Sequence, residues 1–259
     1  MDAFVVKLPR GPAGDGGGSG GKRPRLEKPG PERPPPREIR AEGLSCDYRI
    51  LFSKAEADEI FQELEKEVEY FEDEMTKLQV FGTWHKIPRK KVTYGDPGLS
   101  YTYSGVTFHP KPWIPVLTRI RERVTSETGH TFNFVLINSP EFIPRYKDGL
   151  DHIGEHRDDE KELVPLSPIA SVSFGACRDF VFRRRGRGRG GAAGPGRICL
   201  QLAHGSLLLM KHPTNEHWYH SLPPRRRVLA PRVNLTFRNV LPVSHRGSVQ
   251  PRGPLGSGK

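Results

Sequence analysis

The first periodic part of the chain has the spacing of an amphipathic helix. Ser53 and Glu56 stand three residues apart, as in a capping box at a helix N-terminus. The residues that follow place acidic side chains on one face and apolar side chains on the other, at Ile60, Phe61, Leu64, Val68 and Phe71. The pattern predicts a helix that buttresses a core with its apolar face and is solvated on its acidic face. A second short helix is predicted over 115–124.

The remainder of the domain is predicted to form short strands separated by glycine, proline and polar residues. These strands cover 132–137, 169–174, 179–182, 198–202, 206–210, 217–222 and 232–241. Several short strands after an initial helical part indicate an α+β domain with N-terminal buttressing helices and a β-sandwich or jelly-roll core.

Both ends of the sequence have low-complexity composition. Glycine dominates 14–21, and three consecutive prolines occupy 34–36. We therefore expect a disordered basic tail over 1–38, one domain over 39–243 and a flexible tail over 244–259. The basic cluster at 22–25 is typical of nuclear-localisation signals, although such clusters are also common by chance.

Net charge and cysteine content narrow the class of protein. The formal charge of +11 favours a polyanionic partner, nucleic acid before a membrane, although a basic soluble protein without such a partner has the same balance. The three cysteines, Cys46, Cys177 and Cys199, argue against a disulfide scaffold and for a reducing compartment. No run of about 18 apolar residues is present, so the sequence predicts no membrane span.

Candidate metal ligands are concentrated in the middle of the chain. In an extended segment, His156 and Asp158 point to the same side and can bind one metal ion. The best candidate for a third ligand is His220 on a late strand, and by composition His152 and His217 are also possible ligands. Two histidines and one carboxylate form the facial triad of non-haem Fe(II) oxygenases. The chain has ten histidines, so the His156–Asp158 spacing alone is weak evidence.

The segment 232–238 strengthens this interpretation because it alternates strictly between polar and apolar residues. One face carries Arg232, Asn234, Thr236 and Arg238, and the other carries Val233, Leu235 and Phe237. Arginine pairs with carboxylates through parallel hydrogen bonds, so the polar face suits a dicarboxylate such as 2-oxoglutarate. An exposed edge strand with scattered polar residues is the alternative.

Taken together, these motifs resemble those of the AlkB-type Fe(II)- and 2-oxoglutarate-dependent dioxygenases, and within that family the branch that repairs alkylated DNA in the nucleus. The metal motif, the distant histidine and the alternating strand occur in the family's order. Further matching stretches lie at 80–85, 88–90, 94–96, 173–180, 204–206 and 212–215. The resemblance covers roughly residues 39–241 and implies a double-stranded β-helix, Fe(II), 2-oxoglutarate and O2 as cofactors, and double-stranded DNA as partner.

The resemblance also implies residue roles. Metal ligands would be His156, Asp158 and His220, which are also the catalytic set. Contacts to 2-oxoglutarate would be Asn138, Tyr146, Arg232, Thr236 and Arg238. Contacts to the damaged base and the duplex would be Val80, Phe81, Gly82, Thr83, Arg89, Tyr101, Thr102, Tyr103 and Asp159. The segment 80–82 would enter the duplex and fill the gap left by a flipped nucleotide, although ordinary core packing is the alternative for Phe81.

The chain departs from the family pattern in four places. Six residues, 139–144, look inserted between Asn138 and Tyr146, and their two prolines would interrupt a strand there. Tyr103 stands where the family has phenylalanine. The Arg- and Gly-rich stretch 183–196 is expected to be a basic loop that contacts phosphates. Residues 4–7 resemble a sliding-clamp-binding peptide, but Ala3 replaces its usual basic residue.

The sequence therefore leads to one principal function and two alternatives. The principal function is oxidative dealkylation of bases such as 1-methyladenine and 3-methylcytosine in duplex DNA, by a monomer that acts in the nucleus. An RNA or protein demethylase would use the same chemistry. A nucleic-acid-binding protein with an impaired catalytic site is the third possibility, because the 139–144 insertion lies beside the co-substrate site.

Overall fold

A computed structural model describes residues 35–71, 77–80, 83–86, 89–103, 106–140, 152–184, 196–225, 228 and 230–243. For residues 77–80, 83–86, 89, 103 and 140 it describes the backbone alone. The predicted tails 1–38 and 244–259 lie outside these residues, except for 35–38. The first strand begins at Arg37.

The predicted capping box is confirmed at the start of helix α1, Lys54–Glu67. The Ser53 hydroxyl accepts a hydrogen bond from the Glu56 backbone N–H, and the Glu56 carboxylate accepts one from the Ser53 N–H at 2.9 Å. The helix ends earlier than the apolar spacing predicted, because Val68 is extended and forms the C-cap. Phe71 thus lies beyond the helix and stacks on Phe108.

Helix α2 spans Pro115–Thr128, four residues longer than predicted. Pro115 occupies the first helical position, where its missing N–H has no intrahelical partner to lose. Gly129 ends the helix in the left-handed conformation, with φ of 72°. Helix α3 is a single turn, Thr214–His217, so the predicted strand there begins one residue later than expected.

Fifteen strands occur in the part of the chain that the structure describes. In chain order they are β1 Arg37–Ala41, β2 Leu44–Ile50, β3 Lys77–Val80, β4 Thr83–Lys86, β5 Arg89–Gly95, β6 Tyr101–Tyr103, β7 Val106–Phe108, β8 Phe134–Pro140, β9 Ile153–His156, β10 Ile169–Gly175, β11 Arg178–Arg184, β12 Arg197–Leu202, β13 Ser206–Lys211, β14 Trp218–Leu222 and β15 Arg232–Arg238. All pairings between them are antiparallel.

Two sheets form the sandwich. The larger has the order β1-β2-β13-β10-β15-β8-β5, and the smaller has the order β12-β11-β14-β9. Two hairpins, β3-β4 and β6-β7, stand apart from them. Most strands thus pair with neighbours distant in sequence, as in a jelly roll, and the predicted fold class is confirmed.

Strand β15 lies inside the larger sheet, between β10 and β8, and every one of its residues is buried. The edge-strand alternative for this segment is therefore wrong. Its apolar residues pack with α1 and α2 in one core, together with Ile60, Leu64, Leu117, Ile120 and Val172. A second core containing Phe182, Leu208, Met210 and Trp218 fills the space between the two sheets.

The acidic face of α1 is largely solvated, as predicted, and two carboxylates of the helix pair with arginines of α2. Glu63 accepts a hydrogen bond from Arg119 of α2 at 2.8 Å, and Glu56 accepts one from Arg123 at 2.9 Å. Charge on the two helices is therefore locally balanced. Within the described residues no helix is long and apolar enough to cross a membrane.

We predict that Leu235→Ala lowers the free energy of unfolding by about 2–5 kcal/mol, because it leaves a cavity in a core that cannot fully collapse. Leu235 has no exposed surface, and its strand is paired on both sides. Urea denaturation measures the effect. Ile50→Ala is the control, since Ile50 is 53% exposed and its truncation should change stability by less than about 0.5 kcal/mol. Equal effects would contradict the assignment of β15 to the core.

Candidate active site

The smaller sheet brings the predicted metal ligands together. His156 is the last residue of β9, and His220 is its direct partner on β14. Asp158 follows two residues after His156, so a short extended segment carries it to the same place. One ligand atom from each of these three residues lies within 4.8 Å of the others. Neither His152 nor His217 belongs to a metal-capable cluster among the described residues.

The orientation of the two imidazoles suits metal binding. Nδ1 of His156 lies 3.0 Å from the backbone oxygen of Gly154, so a proton on Nδ1 leaves the Nε2 lone pair for a metal. Nε2 of His220 faces Asp158, with 3.6 Å between Nε2 and Oδ2. The Phe180 ring stacks on His220 at 5.3 Å and holds its plane.

The carboxylate of Asp158 is held by a buried ion pair. Nη2 of Arg238 donates to Oδ1 of Asp158 at 2.6 Å, and both side chains are almost fully buried. Burial alone would raise the pKa of Asp158, but the positive charge of Arg238, with the two histidines, holds that pKa well below its usual value. Burial lowers the pKa of His220 to about 3 against the opposing attraction of Asp158. The site therefore presents an anionic carboxylate and a neutral imidazole, the forms that bind metal.

The polar face of β15 forms a hydrogen-bonded network next to this cluster. The amide oxygen of Asn234 accepts from Nη2 of Arg232 at 2.7 Å and from the hydroxyls of Ser171 and Ser173 at 3.1 Å each. Its amide nitrogen donates to the Thr236 hydroxyl at 3.0 Å. The two serines are thus supporting residues that the sequence interpretation missed. They lie directly opposite Thr236 and Asn234 on β10, a register that sequence alone does not reveal.

A cavity lies between the sheets and contacts both the metal cluster and this network. It is lined by Lys91, Leu136, Asn138, Ile153, His156, Asp158, Ser171, Phe180, Met210, His220, Ser221, Leu222, Asn234, Thr236 and Arg238. Nε and Nη1 of Arg238 are buried and have no hydrogen-bond partner within the described part of the chain. Buried donors of this kind favour a bound anion that is rich in oxygen, and a carboxylate co-substrate meets this requirement.

Lys91 is the cavity residue that was least expected. It is only 2% exposed, and its strand β5 was not predicted. Lys90, the preceding residue, is exposed. Two consecutive lysines give no signal of which one is buried, and lysine is rarely buried, so the sequence did not reveal this position.

Of the residues expected to contact a damaged base, three that the structure describes do not line this cavity: Tyr101, Thr102 and Asp159. Tyr101 is fully buried, packs on Phe134 with 4.8 Å between ring centroids, and does not line the cavity. The Thr102 hydroxyl lies 3.0 Å from that of Thr107. Asp159 is exposed and pairs with Arg157 at 3.0 Å rather than lining the cavity.

Other predicted site residues lie outside what the structure describes. Phe81, Gly82 and Tyr146 belong to this group, as does most of the basic stretch 183–196, of which 185–195 is not described. For four more residues the structure gives strand positions without side chains: Val80, Thr83, Arg89 and Tyr103.

Asn138 keeps its place in the sheet despite the segment that follows it. Strand β8 continues through Ser139 to Pro140, pairing Asn138 with Asn234 on one side and with Lys91 on the other. The expected interruption by proline therefore does not occur up to Pro140, the last described residue before 152. Asn138 lines the cavity beside Asn234.

Comparison with known proteins agrees with this site. Residues 46–238 match the model of the 2OG-Fe(II) oxygenase superfamily. Over 225 residues the chain is 66% identical to human "DNA oxidative demethylase ALKBH2", covering 85% of this chain and 84% of the relative. The mouse protein of the same name is 63% identical over 251 residues, covering 93% and 99%. A solved structure of OsALKBH1 superposes with a TM-score of 0.51 at 13% identity, covering 79% of this chain and all of that one, and supports the fold.

We predict that Asn234→Ala destabilises the metal-free protein by about 2 kcal/mol or more, because three buried donors lose their shared acceptor. Urea unfolding measures the loss. The matched control is Ser206→Ala, whose buried hydroxyl has no hydrogen-bond partner within the described residues. That variant should remain within about 1 kcal/mol of the parent. If the two variants unfolded at the same urea concentration, the contribution of this network to stability would be contradicted.

Proposed function

This chain belongs to the 2OG-Fe(II) oxygenase superfamily, and we propose that it repairs DNA by oxidative dealkylation of N-alkylated bases such as 1-methyladenine and 3-methylcytosine. The observation that carries the proposal is the His156–Asp158–His220 cluster, which opens into a cavity walled by the polar face of β15. The high identity to proteins named DNA oxidative demethylase supports DNA as the substrate.

Fe(II), 2-oxoglutarate and O2 are the cofactors of the enzyme. His156, His220 and the carboxylate of Asp158 would hold the iron, and their nitrogen and oxygen donors fit the facial triad that leaves positions open for co-substrate and oxygen. When bound, the iron supplies oxidative chemistry in which 2-oxoglutarate is decarboxylated to succinate and the N-methyl group leaves as formaldehyde.

The co-substrate would lie against the β15 wall. Asn138, Thr236 and Arg238 line the cavity, and the unpartnered donors of Arg238 face a ligand rich in oxygen. Arg232 sits further along the same face, where Ser173 and Asn234 fix its guanidinium. Rigid placement of these donors lowers the entropic cost of orienting a dicarboxylate. Tyr146 is proposed as the remaining contact.

The alkylated base must leave the duplex to reach this cavity. Extrusion costs a few kcal/mol and is easiest for a base whose pairing is already damaged. We propose that Val80, Phe81 and Gly82 fill the vacancy, with Thr83 and Arg89 at the duplex. The base would then be received near Tyr101, Thr102, Tyr103 and Asp159. N-alkylated adenine and cytosine carry positive charge, which the nearby carboxylate would attract.

Nuclear localisation, docking on a sliding clamp and a monomeric state are further parts of the proposal. Repair of alkylated DNA places the substrate in the nucleus, and the basic cluster at 22–25 supports import. The clamp peptide at 4–7 lies outside the described residues.

We predict that Phe81→Ala reduces the rate of formaldehyde release more on a methylated duplex than on the same strand without its complement. The loss of rate on the duplex should be larger by a factor of at least about ten. The physical reason is that only the paired substrate needs a side chain to stack in the vacated position. Initial rates on the two substrates provide the comparison. Equal losses would contradict the duplex-invading role and would favour an RNA or protein demethylase.

We predict that the intact chain forms succinate when Fe(II), 2-oxoglutarate and methylated DNA are supplied, at a rate within about threefold of a variant lacking 139–144. The reason is that β8 holds Asn138 in register with Asn234 of β15 on one side and with Lys91 of β5 on the other. Succinate yield measures turnover. An inactive intact chain beside an active deletion variant would establish the impaired-site alternative instead.

A further inference from the structure

Strands β9 and β14, which carry two of the metal ligands, are joined by a short backbone ladder. Strand β9 is four residues long and forms an edge of the smaller sheet. His156 pairs with His220 and Ile153 pairs with Leu222, but the register shifts between these two positions. A bulge of this kind disrupts the backbone hydrogen bonds locally. Side-chain contacts between the two strands therefore contribute to the spacing of the two histidines.

Arg157 and Tyr219 form one such contact on the outer face of the smaller sheet. Arg157 follows His156, and Tyr219 precedes His220. Because side chains alternate along an extended chain, both residues point away from the cavity that the histidines line. The central carbon of the Arg157 guanidinium lies 5.5 Å from the centroid of the Tyr219 ring. This cation–π contact lies directly behind the two histidine ligands.

Hydrogen bonds hold the Arg157 guanidinium in this position. Nη1 donates to the backbone oxygen of Asn215 at 3.4 Å, and Nη2 donates to the carboxylate of Asp159 at 3.0 Å. Only 20% of the Arg157 side chain is exposed, although it lies on the outer face. Arg157 is also the residue between the ligands His156 and Asp158, so a fixed Arg157 side chain limits rotation of the segment that carries both.

A second contact reaches the same ring from β11. The central carbon of the Arg183 guanidinium also lies 5.5 Å from the centroid of the Tyr219 ring, and Tyr219 is its direct cross-strand partner. Nε of Arg183 donates to the two carboxylate oxygens of Glu155 on β9, at 2.6 and 2.7 Å. Side chains from β9 and β11 thus meet over β14 and link the three strands around one aromatic ring.

We propose that Arg157 and Tyr219 are positioning residues of the metal centre, whose contact fixes the spacing of His156 and His220 and thereby raises the affinity for the metal ion. The inference rests on the metal site of the proposed function and adds residues that act through the ligands. Groups outside the ligand set that orient the ligands commonly change metal affinity when they are removed.

The sign of the effect distinguishes positioning from simple electrostatics. Arg157 is a cation, and its charge repels a metal ion bound by the residues on either side of it. Removal of the charge alone would therefore strengthen metal binding. Loss of the contact with Tyr219 would instead let β9 move relative to β14, and metal binding would become weaker.

Titration of Co(II) into the metal-free full chain, without DNA or co-substrate, tests the inference. Co(II) is bound by the same nitrogen and oxygen donors as Fe(II), and its visible absorption reports the geometry of those donors. Arg157→Met removes the guanidinium, and Tyr219→Leu removes the ring. We expect each substitution to raise the dissociation constant for Co(II) at least about fivefold and to alter the absorption bands.

Two further variants are the controls. Tyr219→Phe keeps the ring and should bind Co(II) within about twofold of the parent chain. Arg225→Met controls for charge, because Arg225 is paired with Asp179 near the other end of β11 and its loss also removes one positive charge. Thermal melting of the metal-free variants checks that each is folded, and we expect little change since partly exposed contacts contribute little to stability.

The outcomes separate the inference from the function on which it rests. Weaker Co(II) binding by Arg157→Met and Tyr219→Leu supports the inference when the two control variants bind normally. It is overturned if either of these two variants, once folded, binds Co(II) as tightly as the parent or more tightly, or if a control variant is weakened equally. Failure of the parent chain itself to bind Co(II) would reject the metal site of the proposed function.

Discussion

The ion pair between Arg238 and Asp158 is the interaction on which the site depends, because it joins the two sheets where the metal ligands meet. Arg238 belongs to β15 of the larger sheet, and Asp158 follows β9 of the smaller one. A buried pair of this kind seldom adds net stability, since desolvation of both charges offsets their attraction. What it provides is position: Asp158 remains ionised and faces His220 across the cavity.

Strand β15, which supplies Arg238, contributes one face to the hydrophobic core and the other face to the site. Strand β15 is buried on both faces, with Leu235 in the core under the helices and Asn234 in the network above. Because side chains alternate with a period of two, a slip of one residue would place the arginines in the apolar core. The hydrophobic packing of one face therefore fixes the geometry of the other.

This coupling also shows what could be predicted from sequence. Strand β15 was predictable because its alternation is strict, and α1 was predictable because its capping box adds a specific signal to the spacing. The strands β1 and β5 were missed since charged residues dominate them, and their burial is decided by partners distant in the chain. The spacing of His156 and Asp158 indicated a metal, but the pairing of His156 with His220 on β14 depends on topology, which no local pattern contains.

Register further decides how the chain accommodates the residues after Asn138. Strand β8 is paired with β15 and β5 at once, and its contact with β5 extends through Ser139 and Pro140. Proline is tolerated at position 140 because the pairing with β15 has already stopped at Asn138. A shift of β8 by one residue would change its register with β15 and with β5 at the same time. It would also turn Ile137, which is fully buried, toward the polar cavity. The two ladders of β8 therefore fix the position of Asn138 in the wall of the cavity.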